Sequence, residues 1–234
     1  MRLLASVLAK LPKTNKPQRR FISAWLELML MVPGPITFRN LSRYSGYHEK
    51  TFARGFARTL DWVVLNREAI VQGVPPEHEQ ALVLDASFLA KSGRQTHGLD
   101  RFWNGSAGRA EKGLEISALA WLDITAHQAY SLSVEQTPAA VKGSDKAALD
   151  DTRLDAYLSQ LRRVVEGHQL QRLKYVITDG CYSKVKFLNG VIEPGLQQIG
   201  KLRGDADMRY LYGGPKRPGA GRQKQFDGKV DWSD

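Results

Sequence analysis

Apolar residues recur at helical spacing in the first quarter of the chain and change to short, β-branched runs after residue 80. Phe21, Trp25, Leu28, Met29 and Val32 fall on one helical face, and Pro33-Gly34-Pro35 ends it. Ile36 to Tyr44 and His48 to Phe56 read as two short helices around a turn holding Gly46, with Leu41, Phe52 and Phe56 packing the pair. A further helical stretch runs through Trp62 and Leu65. The polar segment Gln72 to Gln80, with Pro75 and Pro76, reads as a fairly stiff linker.

Ala81 to Lys91 is an apolar strand run, and Lys91 to Lys112 is polar, glycine-rich and basic, with the character of a long loop. Leu114 to Ile124 and Gln128 to Gln136 predict two strands joined by a hairpin turn at Thr125 to His127. Leu154, Tyr157, Leu158, Leu161 and Val165 mark an amphipathic helix that Asp150 or Asp151 is placed to cap. A strand over Lys174 to Asp179, a helix from a Ser183 cap through Leu188 and a strand over Gln197 to Arg203 follow. From Gly204 the composition is that of loop or hairpin. The order predicts an α/β chain: a helical domain over 1–72, a linker over 73–80, a mixed sheet with flanking helices over 81–204, and a β/loop segment over 205–234.

With 234 residues, 42% of them hydrophobic, the chain can bury a substantial core. Its one cysteine, Cys181, excludes an intrachain disulfide and a multi-cysteine zinc site, which fits a reducing, cytoplasmic setting. The longest apolar stretch, Phe21 to Val32, is broken by Glu27 and too short to span a bilayer, and no signal-peptide cleavage pattern is present. The expectation is a soluble protein with no membrane partner.

Residues 1–65 hold eleven Lys/Arg against three Asp/Glu, so +8 of the net +10 lies there. That asymmetry fits a polyanion partner, nucleic acid being the commonest, or a generally basic surface. For nucleic acid, Lys16, Arg19 and Arg20 would belong to a basic terminal arm along phosphates. Arg39 and Arg43 lie on the first short helix; His48, Lys50, Thr51 and Arg54 lie on the second, which in a helix-turn-helix enters the major groove. An ordinary helical hairpin has the same spacing.

Two strands carry the candidate chemistry. Asp85 interrupts the first apolar run, and an unpaired buried carboxylate costs several kcal/mol, so its presence calls for a use. Asp179 ends a second run of the same design, and carboxylates at neighbouring strand ends are the arrangement a divalent metal site needs. Asp123, beside the hairpin turn, reads as an ordinary solvated aspartate.

Three blocks in order resemble the DDE transposases of bacterial insertion sequences: Leu84-Asp85 through Lys91, Ile177-Thr178-Asp179 through Lys184, and Leu202 to Tyr210 with Asp205 and Asp207. The resemblance spans about residues 80–230 and implies a ribonuclease H-like catalytic fold behind a DNA-binding domain. It implies that Asp85 and Asp179 are the first two acids of a catalytic, metal-binding triad. Two Mg²⁺ (or Mn²⁺) ions about 4 Å apart would then clamp the scissile phosphate. Lys91 and Lys184 become candidates for phosphate contact.

No residue matches the family's third acid, and Glu193, the only glutamate after Asp179, precedes the last strand. The expectation is therefore an incomplete ribonuclease H-like sheet, truncated before that acid and inactive alone. The implied partners are double-stranded DNA of transposon ends and target, with a homodimer or a heterodimer with an intact transposase as assembly. Two alternatives stay open: a non-catalytic DNA-binding regulator derived from a truncated transposase, and a metal nuclease without strand transfer.

Overall fold

The computed structural model describes residues 2–139, 153–170, 172–202, 206–215, 222 and 224–231. The N-terminal part is helical: α1 (Arg2–Lys10), α2 (Lys16–Met31), α3 (Phe38–Arg43), α4 (Glu49–Phe56) and α5 (Trp62–Gly73). Residues 1–20 are thus not an extended arm. Val7, Leu8 and Leu11 are buried with Ile22 and Leu65, and that burial makes a helix of a segment whose charges suggested a tail. Asn15 starts α2 with a reciprocal capping box to Gln18, and Pro17 lies in the first turn where its missing N–H costs nothing.

Leu41 and Phe52 lock α3 to α4 and to Leu28 of α2. Phe56, expected in that contact, joins it through Phe38 of α3 at 5.3 Å between ring centres; it is 44% exposed and also packs edge-on to Trp25. Helix α5 ties this part to the sheet: Leu65 belongs to the helical cluster, Ile70 and Val74 to the main core, and Asn66 donates to the Leu132 carbonyl.

The main sheet contains β1 (Gln80–Ala90), β2 (Asp100–Asn104), β3 (Arg109–Asp123), β4 (Gln128–Gln136), β5 (Tyr175–Thr178) and β6 (Gln197–Gly200). Its order is β2-β3-β1-β5-β6, with β4 pairing β3 further along the same strand. The β1–β3 ladder is antiparallel, whereas β1–β5 and β5–β6 are parallel. A mixed sheet in this order is consistent with the ribonuclease H-like domain that the resemblance implies.

One segment read as loop is strand. Lys91 to Lys112 contains β2 and the start of β3, where only Phe102 is sealed in the core, so the usual alternation of apolar residues is missing. Beyond Gly204, β7 (Arg209–Leu211) and β8 (Phe226–Lys229) form a two-stranded antiparallel sheet.

Helices α6 (Arg153–Gly167) and α7 (Val185–Ile192) cover one face of the main sheet. Tyr157, Leu158, Leu161 and Val165 pack with Leu82, Leu84, Leu119, Trp121 and Val176. The proposed caps of α6, Asp150 and Asp151, lie outside the described residues, as do Arg203, Gly204 and Asp205 and residues 216–221 of the glycine-rich stretch. Ser183 does not cap α7: Lys184 holds that position without a side-chain bond, and the Ser183 hydroxyl donates to the Lys201 carbonyl at 2.9 Å.

The opposite sheet face is thinly covered. Val83, Ala118, Ala120 and Ile177 are half-buried there, while their cross-strand neighbours Val134 and Ile199 are 53% and 50% exposed.

Candidate active site

The β1–β5 ladder pairs Leu82 with Val176 and Val83 with Ile177. Counting on two residues sets Asp179 beside Asp85, on strands that run about 4.8 Å apart. Both side chains point to the thinly covered face, in a row that continues through Ala118 and Val134. Asp85 is therefore exposed, contrary to the expectation of a buried carboxylate, because the small side chain of Ala118 does not cover it. Its strand is buried only through Ala81, Leu82 and Leu84.

Asp179 is exposed as well. It ends β5 in extended backbone, and one carboxylate oxygen accepts from the Cys181 amide at 2.9 Å, opening a single 3₁₀ turn over Gly180–Tyr182. That bond fixes the carboxylate and leaves its remaining lone pairs free for a cation. Two hard oxygen donors on adjacent strands suit Mg²⁺ or Mn²⁺, which keep several waters and take one or two protein carboxylates. Among the described residues no group of three or more His, Cys, Asp or Glu side chains is placed to share one ion.

Tyr182, at the end of that turn, lies in the core on the helix-covered face. Its ring is buried between Tyr157 and Phe187, and its hydroxyl has no hydrogen-bond partner among the described residues. Burial, together with the negative charges of Asp85, Asp179 and Glu115 and the neighbouring Tyr157, holds the phenol far above its ordinary pKa, so it is a neutral donor. Beneath it the Tyr157 hydroxyl donates to buried Glu115 at 2.5 Å, and burial followed by that carboxylate raises Tyr157 too. Glu115 sits two residues before Ser117 on the helix-covered face, opposite Phe88. Its place in the alternation of β3 was the one available signal that it would be buried.

The two lysines differ in placement. β1 continues to Ala90, so Lys91 stands six residues, roughly 20 Å of strand, beyond Asp85 and is not brought to it. Lys184 follows Ser183, the C-cap of the 3₁₀ turn that Asp179 opens, and is exposed.

In the helical part, Lys16, Arg20, Arg39, Arg43, Lys50 and Arg54 are exposed and Thr51 is half-buried. Arg19 is engaged internally, with Nε donating to Thr14 and Nη2 to the Leu11 carbonyl. His48 is the N-cap of α4, where Nδ1 accepts from the Lys50 amide at 3.2 Å. Arg20, Thr51 and Arg54 line one cavity together with Arg58, which the sequence did not single out.

Asp123 is not solvated. It is 2% exposed, lies 2.8 Å from Nδ1 of His78 and accepts from the Ala126 amide at 2.9 Å. Burial opposes its ionisation, but His78 and the turn amides outweigh it and leave the carboxyl below its ordinary pKa. The pair clamps the β3–β4 turn beside the start of β1, where Asp123 faces Gln80, five residues before Asp85, so it is structural.

No match to the chain is found among curated proteins. A family model described as DDE superfamily endonuclease matches residues 7–231, running through both aspartates and the helices before them. Over that span the chain belongs to the DDE superfamily of endonucleases.

Proposed function

We propose that this chain is a transposase-type endonuclease in which α3 and α4 form a helix-turn-helix that holds duplex DNA and Asp85 and Asp179 hold a divalent metal at the scissile phosphate. The observation that carries this is the parallel register of β1 and β5, which sets the two carboxylates side by side on an open face. The family supports DNA cleavage; strand transfer at the ends of an element is the finer reading. In this reading residues 1–72 bind DNA and the sheet from residue 81 does the chemistry.

Mg²⁺ or Mn²⁺ would supply Lewis-acid stabilisation of the phosphate and a metal-activated water or 3′-hydroxyl. Asp85 and Asp179 would position it, and the exposed Lys184 adds positive charge after the 3₁₀ turn. Two carboxylates capture an ion but fix it less firmly than three, and a looser ion costs orders of magnitude in rate. Cleavage supported by these two donors alone is therefore slow.

Incubation of the chain with Mg²⁺ or Mn²⁺ and DNA carrying the element's ends tests this. The expected result is duplex binding that persists in Asp85→Asn, with only a trace of metal-dependent nicking that the same substitution removes. Binding without any metal-dependent nicking would identify a DNA-binding regulator instead, and nicking without joining to a target would identify a nuclease.

A further inference from the structure

A concave feature away from the carboxylate site lies between α2, α4 and the start of α5, a cavity of about 520 Å³. That volume is on the order of what encloses a nucleotide-sized ligand. Its walls are aromatic. Phe21 and Trp25 come from α2, Phe56 ends α4 and Trp62 begins α5. Trp25 stands edge-on to both Phe56 and Trp62, at 4.8 and 5.4 Å between ring centres, so the rings brace one another. Phe56 and Trp62 keep 44% and 42% of their surface in solvent, leaving ring surface open for a further planar group.

Its rim is cationic. Arg20, Arg54 and Arg58 line the cavity, all three are exposed, and none has an ion-pair partner among the described residues. Thr51 and Thr59 add hydroxyls between ring wall and rim. Gly55 makes the close approach possible, because a Cβ there would fall 2.1 Å from the Phe21 ring. A purely apolar ligand gives three unpaired guanidinium groups nothing to bind, and a bare phosphate gives the aromatic walls nothing to stack on. A nucleotide satisfies both, with its base against the rings and its phosphate at the arginines.

We infer that this cavity is a nucleotide subsite, taking either a free nucleotide or one unstacked nucleotide of a bound DNA strand. The inference deepens the reading of residues 1–72 as the DNA-holding part, since it names what the helical part grips besides duplex backbone.

The test uses the full chain with four probes: a labelled eight-nucleotide oligothymidylate, the same strand with abasic sites, dAMP, and oligoglutamate. The base-bearing strand should bind roughly tenfold tighter than the abasic one, the scale of stacking one base on an aromatic side chain. Trp62→Leu should bring that ratio close to one while leaving abasic binding in place. Arg58→Gln, at an exposed position, should weaken both strands alike. If dAMP quenches tryptophan fluorescence while the two strands bind equally, the source is free nucleotide; a strand difference without a dAMP effect makes it a strand-borne base.

Equal binding of the two strands together with no response to dAMP overturns the subsite, as does displacement by oligoglutamate as efficient as by the base-bearing strand. Duplex binding, measured alongside, separates the two claims. Duplex bound without a base effect removes the subsite alone, and a dAMP response without duplex binding removes the DNA-holding assignment alone.

Discussion

Asp85 and Asp123 lie on neighbouring strands of one sheet, and their surroundings give them opposite duties. Asp85 faces solvent beside Ala118, so Asp85→Asn should change unfolding stability by no more than about 0.5 kcal/mol, as surface substitutions usually do. Asp123 is sealed under the β3–β4 turn with a lowered pKa, so its stabilisation is present above the unfolded value of about 3.9 and is lost as pH falls through the lower folded value. Asp123→Asn should be less stable than the parent near neutrality, and the gap should narrow below about pH 4. Thermal unfolding across that range measures it, and a gap constant with pH would contradict the clamp. The sequence misled at both residues for one reason. Burial of a side chain is set by residues distant in the chain, Ala118 for Asp85 and His78, 45 positions earlier, for Asp123.

At the scale of elements, the long β1–β3 ladder carries the site, and Gly113 is where its strands come closest to clashing. A Cβ at Gly113 would lie 2.4 Å from the Leu89 carbonyl oxygen, which is backbone and cannot rotate away. Gly113→Ala should cost about 1–3 kcal/mol of stability by forcing the strands apart, readable in a denaturant titration. An unchanged midpoint would mean that the ladder is looser there than described. On the helical side, Arg54→Ala should reduce discrimination among DNA sequences more than Lys16→Ala, because α4 carries Arg54 and base contacts specify while phosphate contacts position. Equal loss for both variants on every sequence would count against α4 as the reading helix. Elements with a periodic apolar face were legible: α2, α6, β4 and β5 stand within a few residues of their expected bounds. β2 was not, since Phe102 is its one buried residue and a single buried apolar position sets no alternation. Nor was α1, whose short apolar face becomes informative only once α5 packs on it.

For the whole molecule, the strand order sets two aspartates 94 positions apart beside each other on one sheet face, while the basic helices lie at the other end of the chain. That pairing was legible in outline, because each apolar run carries one aspartate, Asp85 within the first and Asp179 at the end of the second. The open face they share was not, since it depends on which side α6 and α7 cover. The +8 excess in residues 1–65 predicts duplex binding that falls steeply between about 50 and 200 mM salt, and a flat response would rule out a phosphate-driven grip. The central claim, that Asp85 and Asp179 together hold a divalent metal, is tested most directly by titrating Mn²⁺ into the chain and following water-proton relaxation, which needs neither DNA nor turnover. Binding should weaken at least about tenfold in Asp85→Asn and again in Asp179→Asn, the loss expected when one carboxylate of a two-carboxylate site is removed. Mn²⁺ binding unchanged in both variants would contradict the account.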